Sequence, residues 1–192
     1  MSTGYDNTAA ARIALLLKNN EIVFHASDLA VLWGISSLNT LYTTLSRYCK
    51  AKLLFRIYKG LYSSIPVKQI DPLLIGLKAL HKYCYISTET VLLMHGIIFQ
   101  DIQQITIISS ISKQFTVAGR KYKSRQLSYE HLMNPTGIQM KAGIKIASLE
   151  RAVADWLYFS PNAHFDNNSQ LDFRKLQNIQ RKVGYNVSTK IK

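Results

Sequence analysis

The 192-residue sequence predicts an α+β protein, with an N-terminal winged helix-turn-helix followed by a smaller mixed α/β C-terminal domain. Three observations lead to this fold class. Helical spacing of apolar residues recurs three times before residue 52, and a β-branched and aromatic stretch around a Lys59-Gly60 turn follows. Beyond residue 71, short strand patterns alternate with helical ones. Apolar residues make up 47% of the chain, which is enough for a globular core.

The charge of the chain points to an anionic partner. Twenty-four Lys and Arg stand against eleven Asp and Glu, which gives a formal net charge of +13. Such an excess favours nucleic acid as the partner, with an acidic membrane surface or an acidic protein as the second choice.

The first elements follow from periodicity and capping residues. Helical spacing predicts a first helix over 8–18, and a short strand pattern covers 21–25. Ser27 is expected to cap a second helix that ends at Gly34, where a left-handed backbone is natural. A third helix is predicted over 36–51, with Ser36 as its cap.

The third helix has two different faces. The apolar positions are expected to form one buried stripe, made of Leu38, Leu41, Leu45 and Tyr48. The opposite face collects Asn39, Thr43, Ser46 and Lys50, flanked by Thr40, Arg47 and Tyr42. Tyr42 is as readily half buried as exposed. No carboxylate lies between Asp28 and Asp71 to repel a phosphate.

A β-hairpin is predicted over 53–65, so that residues 1–66 form a winged helix-turn-helix DNA-binding domain. The third helix would enter a major groove, which is ~12 Å wide, while the hairpin lies along phosphates. The predicted contacts of the recognition helix are Ser36, Ser37, Asn39, Thr40, Thr43, Arg47 and Lys50, and those of the wing are Arg56, Tyr58 and Lys59. Asn39 and Thr40 would face base edges, and the cations would meet phosphates. The alternatives are an ordinary solvated helix face and, for Tyr58, packing at the edge of the core.

The second domain is predicted over 71–192, after a linker at 66–70. Asp71-Pro72 is a strong start signal for a helix. The further predicted elements are that helix to 82, a strand over 83–86, a Ser87-capped helix over 88–95, a strand over 105–109, hairpins over 114–126 and 138–147, a Ser148-capped helix over 149–159 and a basic helix over 170–184. Helices and strands are mixed here, and a basic tail ends the chain.

A basic cluster accompanies the first of these hairpins and defines a possible second patch. Its members are Lys113, Arg120, Lys121, Lys123 and Arg125, interleaved with Phe115 and Tyr122. The alternate residues Lys121, Lys123 and Arg125 would share one strand face. A solvated hairpin is one interpretation, and an extra phosphate contact or a surface for a toxin or RNA is the other.

The sequence predicts neither an enzyme nor a cofactor-binding or metal-binding protein. The five histidines are scattered without metal-ligand spacing, and most are expected to be structural or exposed. Glu150 is expected to complement a helix N-terminus and Asp155 to cap or pair locally. No Gly-rich phosphate loop and no Cys pair at CxxC spacing occurs. With no secretory pattern and no apolar run near 18 residues, a cytoplasmic location is expected, without a membrane partner.

Two segments carry a family resemblance. YISTETVLLMHG at 85–96 and IASLERAVADWLY at 146–158, after a winged helix, resemble the AbiEi family of antitoxins from type IV toxin–antitoxin systems, which act in abortive infection and phage defence. The resemblance implies an autorepressor that binds inverted repeats in its own promoter. It also implies a C-terminal antitoxin domain that counteracts a nucleotidyltransferase-like toxin, without requiring a stable complex. An orphan winged-helix regulator, or a protein-interaction module without antitoxin activity, remains the alternative.

Overall fold

The computed structural model describes residues 8–19, 21–99 and 103–188. The chain divides into two compact units, Met1–Asp71 and Pro72–Lys192, called here the N-unit and the C-unit. The described residues form eight α-helices and two β-sheets, so the α+β class is confirmed. No helix within the described ranges combines the length and apolar character that crossing a membrane requires.

The N-unit joins three helices to a small sheet. Its elements are α1 (Ala9–Lys18), β1 (Val23–His25), α2 (Ala26–Leu32), α3 (Leu38–Lys50), β2 (Phe55–Tyr58), β3 (Leu61–Ser63) and a 3-10 turn (Val67–Gln69). The strands are antiparallel in the order β1-β3-β2. Apolar side chains from all three helices and from the strands share one core, which includes Leu16, Phe24, Leu29, Trp33, Leu41 and Leu45.

Two of the predicted helix caps are wrong by one or two residues. The cap of α2 is His25, whose backbone N–H donates to the Asp28 carboxylate at 3.3 Å, so Ser27 lies inside the first turn. The cap of α3 is Ser37, whose hydroxyl accepts from the Thr40 N–H at 3.4 Å. Both differences follow from polar runs in which neighbouring residues can cap equally well. Gly34 adopts φ +64°, the predicted left-handed end of α2.

Leu38 is not part of the buried stripe of α3. Its side chain is 66% exposed, whereas Leu41, Leu45 and Tyr48 are buried together with Thr44. Leu38 is the first residue of the helix, and the core cluster begins one turn later at Leu41. Helical spacing therefore gives the direction of the buried face but not the point along the helix where the core ends.

The C-unit is built on a six-stranded sheet in the order β6-β7-β5-β4-β9-β8. Its elements are α4 (Pro72–Leu80), β4 (Cys84–Ile86), α5 (Glu89–Met94), β5 (Gln104–Ser109), β6 (Lys113–Val117), β7 (Arg120–Gln126), α6 (Tyr129–Met133), β8 (Ile138–Lys141), β9 (Ile144–Ala147), α7 (Leu149–Phe159) and α8 (Phe173–Val183). The pairs β5–β7 and β4–β9 are parallel, and the others are antiparallel. Helix α6 has no counterpart among the predicted elements, and the cap of α5 is Thr88 rather than the predicted Ser87.

Helices cover both faces of this sheet. On one face α4 approaches so closely that a Cβ at Gly76 would collide with the ring of Tyr122. On the other face the Thr106 N–H donates to Thr90 of α5 at 2.7 Å, and the Tyr85 hydroxyl donates to Asp155 of α7 at 3.1 Å. The sheet is thus the middle layer of the C-unit.

The C-unit is the larger unit, not the smaller one that we predicted. The predicted basic tail contains α8, which packs against α7 and buries Leu176, Ile179 and Val183. Its helix ends at Gly184 with φ +90°, as a left-handed cap. The basic helix predicted over 170–184 is confirmed, and its apolar face, which was not predicted, belongs to the core of the unit.

A buried ion pair lies at the centre of the C-unit. Arg151 and Asp155, both 0% exposed, are joined from Nε to Oδ1 at 2.8 Å. The remaining guanidinium hydrogens donate to the Tyr85 hydroxyl and to the carbonyl oxygens of His131, Asn134 and Thr136. Asp155 also accepts from the hydroxyls of Tyr85, Ser87 and Tyr185. Asp155 therefore pairs locally, as expected, but it also holds segments from far along the chain.

The surroundings fix the charge state of this cluster. Burial, and then the charge of Asp155, raise the pKa of Tyr85 and of Tyr185, so both phenols stay protonated and can donate. Burial alone would lower the pKa of Arg151, but the charge of Asp155 outweighs burial and raises the pKa. The guanidinium therefore remains charged.

Candidate nucleic-acid interface

The outer face of α3 and the residues before it are open to solvent. All seven predicted recognition residues are exposed: Ser36, Ser37, Asn39, Thr40, Thr43, Arg47 and Lys50. Tyr42, for which two placements were open, is 50% exposed. Asn39, Thr43 and Lys50 recur at near-helical spacing, so they form one stripe along the helix. Ser36 and Ser37 stand at the N-terminus, where free N–H groups and the helix dipole favour a phosphate.

The hairpin carries its polar side chains outward as well. Arg56, Tyr58 and Lys59 are exposed, and the turn is closed by Gly60 at φ +80°. The register shifts between Arg56, which pairs with Tyr62, and Tyr58, which pairs with Leu61. Such an irregularity increases the local twist of the strand. Tyr58 is 50% exposed and is not a core residue, whereas Tyr62 is buried.

A groove of about 390 Å³ separates α3 from the hairpin. Its walls are Tyr42, Ser46 and Cys49 of α3, and Arg56, Lys59, Gly60 and Tyr62 of the hairpin. The groove thus brings the two predicted cations of the wing opposite the C-terminal half of α3. Asn39, Thr40 and Thr43 do not line it, and they form a separate surface on the same helix.

The groove is electropositive. Burial raises the pKa of the Cys49 thiol and of the Tyr62 phenol above their usual values, although the charge of Arg56 opposes both shifts. Both groups are therefore neutral at physiological pH. Since the sequence from 29 to 70 contains no carboxylate, the charges of Arg56 and Lys59 are not balanced by any acidic group of that segment. Such a groove suits a phosphodiester backbone.

Five of the seven lining residues are not among the predicted DNA contacts, namely Tyr42, Ser46, Cys49, Gly60 and Tyr62. One signal was present for the first three of them. Tyr42, Ser46 and Cys49 stand at i, i+4 and i+7, which is one side of a helix. Tyr62 could not have been identified, because its inclusion depends on how the hairpin folds against α3.

The basic cluster of the C-unit is divided by the sheet. Lys121, Lys123 and Arg125 alternate along β7 and share the face that α5 covers, as predicted, while Arg120 lies at the turn. Lys113 pairs with Ser124 and so projects from the opposite face. Arg125 pairs with the buried Glu89 and lies over the ring of Phe159 at 5.2 Å. Arg125 is therefore half-buried and already paired, and the five cations do not form one patch.

The other acidic and histidine side chains have structural or exposed positions. Glu150 lies in the first turn of α7, as expected, and it bonds Lys175 at 2.9 Å. His95 is exposed and is the C-terminal cap residue of α5, which ends at Met94. Within the described ranges, no three His, Cys, Asp or Glu side chains are grouped closely enough to hold a metal ion.

One known structure shares the fold of this chain. The chain is similar in structure to the RV2827C protein from Mycobacterium tuberculosis, with a TM-score of 0.52 and 12% sequence identity over 90% of this chain and 71% of that chain. No protein-family model matches the sequence, and no curated protein matches it. At this identity, the similarity shows that the two proteins share an α+β fold.

Proposed function

We propose that this protein is a DNA-binding autorepressor and antitoxin whose N-unit is a winged helix-turn-helix. In this assignment α2 and α3 are the helix-turn-helix, α3 is the recognition helix, and the β2–β3 hairpin is the wing. The short strand β1 adds to the hairpin through β3 and ties it to the start of α2. The order of helices and strands in the N-unit suits this motif.

The observation that carries the proposal is the polar, carboxylate-free character of two neighbouring surfaces, which both include residues of α3. The outer face of α3 is polar and exposed, and beside it the groove to the hairpin holds Arg56 and Lys59 without a carboxylate in the surrounding sequence. A duplex offers a polar groove floor between two phosphate backbones, which is the complement of this arrangement.

The contacts divide into base readout and phosphate contacts. Asn39 and Thr40 lie in the first turn of α3 and carry short hydrogen-bonding groups, which suits base edges in the major groove. Arg47, Lys50, Arg56 and Lys59 would contact phosphates, and Tyr42 and Ser46 would line the passage of the backbone through the groove.

Antitoxin action is the second part of the proposal, and it is supported by the resemblance to AbiEi antitoxins. The two segments that carry the resemblance correspond to β4–α5 and β9–α7 of the C-unit. They also supply Tyr85, Ser87, Arg151 and Asp155 to the buried ion-pair cluster. The toxin would be a nucleotidyltransferase-like protein that need not form a stable complex.

The repressor activity is tested by fluorescence anisotropy with the full chain and a duplex from the region upstream of its own gene. We expect tighter binding to this duplex than to a scrambled one. Asn39→Ala should reduce binding to the upstream duplex by about 1–3 kcal/mol and bring the two affinities together. Gln69→Ala, which removes an exposed amide elsewhere in the N-unit, is the control and should change neither affinity.

Equal affinity of the unmodified chain for both duplexes at moderate salt would contradict the repressor proposal and favour a protein-interaction module. Antitoxin action is tested separately, by co-expressing this chain with the product of the gene immediately downstream. Restored growth would support it. Failure to restore growth, with operator binding intact, would leave an orphan winged-helix regulator.

A further inference from the structure

A second cationic pocket lies in the C-unit, between α5 and the β6–β7 turn. Its volume is about 470 Å³, within the range of small-molecule sites. Thr90 and Leu93 of α5 form one wall, Gln104 and Ile105 at the start of β5 form the floor, and Arg120 and Lys121 at the start of β7 form the other wall. Gln104 and Lys121 are paired across the parallel strands, so the floor and the cationic wall are held together by the sheet.

The cations of this pocket favour an anion. Arg120 and Lys121 are exposed, and neither makes an ion pair within the described part of the chain. No carboxylate is among the described lining residues. Both residues line the pocket beside the Gly119 turn, and an Arg and a Lys can each give charge-assisted hydrogen bonds to a phosphate group.

The other residues that line this pocket indicate a ligand larger than a phosphate ion. Leu93 offers apolar surface, and the Gln104 amide offers both a donor and an acceptor. A flat, partly apolar group with hydrogen-bonding edges fits such a wall, as a nucleobase does. The pocket is also larger than a phosphate ion requires.

Unused hydrogen-bonding capacity lies directly behind the pocket. Thr106 follows Gln104 on the same face of β5, and its buried hydroxyl has no hydrogen-bond partner among the described residues. Nearby, the β-branched Thr88 adopts φ +49° at the start of α5, a conformation that such residues rarely take. Buried unpaired polar groups and backbone strain are concentrated at ligand sites more than elsewhere.

We propose that this pocket binds a nucleoside phosphate, either as a free nucleotide or as one unit of a single strand. The phosphate lies against Arg120 and Lys121, and the base lies against Leu93 with its edge at Gln104. This site belongs to the C-unit and does not depend on DNA binding by the N-unit.

The test is calorimetric titration of the full chain with AMP, adenosine, inorganic phosphate and a four-nucleotide single strand. We expect saturable binding of AMP or of the single strand, with adenosine and phosphate at least about tenfold weaker. The double variant R120Q/K121Q should weaken binding by about tenfold or more, since two charge-assisted hydrogen bonds are lost. If AMP binds more tightly than the single strand, the natural ligand is a free nucleotide. If the single strand binds more tightly, the ligand is one unit of a strand.

Two control variants locate the site. K113Q removes an exposed cation of the same hairpin on the opposite face, and R56Q/K59Q removes the cations of the groove in the N-unit. Each should change the affinity less than about twofold, which is well below the expected loss in R120Q/K121Q. Absence of saturation with AMP and the single strand, an equal loss in K113Q, or a loss confined to R56Q/K59Q would each overturn the proposal.

Discussion

In the N-unit the polar side chains of α3 and the hairpin are exposed, whereas in the C-unit an arginine and an aspartate are 0% exposed and bonded to four chain segments. Among the described residues, the buried polar side chains of the N-unit are Thr44 and Ser63, and those of the C-unit include Arg151, Asp155 and Gln180. One unit thus leaves its polar groups available to a partner, while the other uses many of its polar groups to hold itself together.

This difference separates residues that serve binding from residues that serve the stability of the fold. An exposed polar residue adds little to stability, so Asn39 or Lys59 can be replaced with little effect on folding. A buried charge is stable only with its partners, so Arg151 and Asp155 cannot be replaced singly. Stability measurements should therefore respond to the C-unit cluster, and binding measurements should respond to the outer face of the N-unit.

The largest expected effect is the loss of Asp155. Asp155→Ala leaves the Arg151 guanidinium buried without its counter-ion and should lower the free energy of unfolding by about 3–5 kcal/mol. Urea unfolding followed by circular dichroism measures it. The double variant R151M/D155L should recover only a small part of the loss. It removes the unpaired charge, but the carbonyl oxygens and hydroxyls that bonded to the pair lose their partners. A loss below about 1 kcal/mol for Asp155→Ala would contradict the role given to this pair.

The next effect tests where the core of the N-unit ends. Leu41→Ala removes a fully buried side chain and should cost about 2–5 kcal/mol. Leu38→Ala, three residues earlier on the same sequence stripe, should stay within about 0.5 kcal/mol because its side chain is exposed. Unfolding of the two variants under identical conditions gives the comparison. Equal costs would mean that Leu38 is covered.

A third effect is confined to alkaline pH. Burial raises the pKa of the Cys84 thiol from 9.0 to about 12. Below pH 9 both folded and unfolded chains keep this proton, and above pH 9 the unfolded chain loses it first. The free energy of unfolding should therefore fall as pH rises from 9 towards 12, by up to about 1.4 kcal/mol per pH unit from this group. Tyr85 and Tyr185, whose pKa values burial also raises, add to the fall above pH 10.

Urea unfolding at pH 8, 9, 10 and 11 measures this slope. Cys84→Ala should flatten it, while Lys113→Gln on the exposed hairpin should leave it unchanged. A free energy of unfolding that stays constant between pH 9 and 11 would show that the thiol is not desolvated in the folded chain.

The same comparison explains what could be predicted from the sequence. The boundaries of α7 and of the hairpins follow from local patterns, since Ser148 is a cap and Lys59-Gly60 and Ala142-Gly143 are turns. The exposed face of α3 follows from helical spacing. The Arg151–Asp155 cluster was not foreseeable, because its partners Tyr85 and Ser87 lie about 70 residues away in sequence. The division of the basic cluster likewise depends on the pairing of Arg125 with Glu89.

The most direct test of the central claim is the salt dependence of DNA binding by the full chain. Binding of the upstream duplex is measured over a range of KCl concentrations for the unmodified chain, Lys59→Ala and, as a control, Lys18→Ala on the exposed end of α1. If the hairpin contacts a phosphate, Lys59→Ala should weaken binding to all duplexes and lower the slope of log affinity against log salt by about one. The same slope in Lys59→Ala and the unmodified chain, or an equal decrease in Lys18→Ala, would contradict the placement of DNA against α3 and the hairpin.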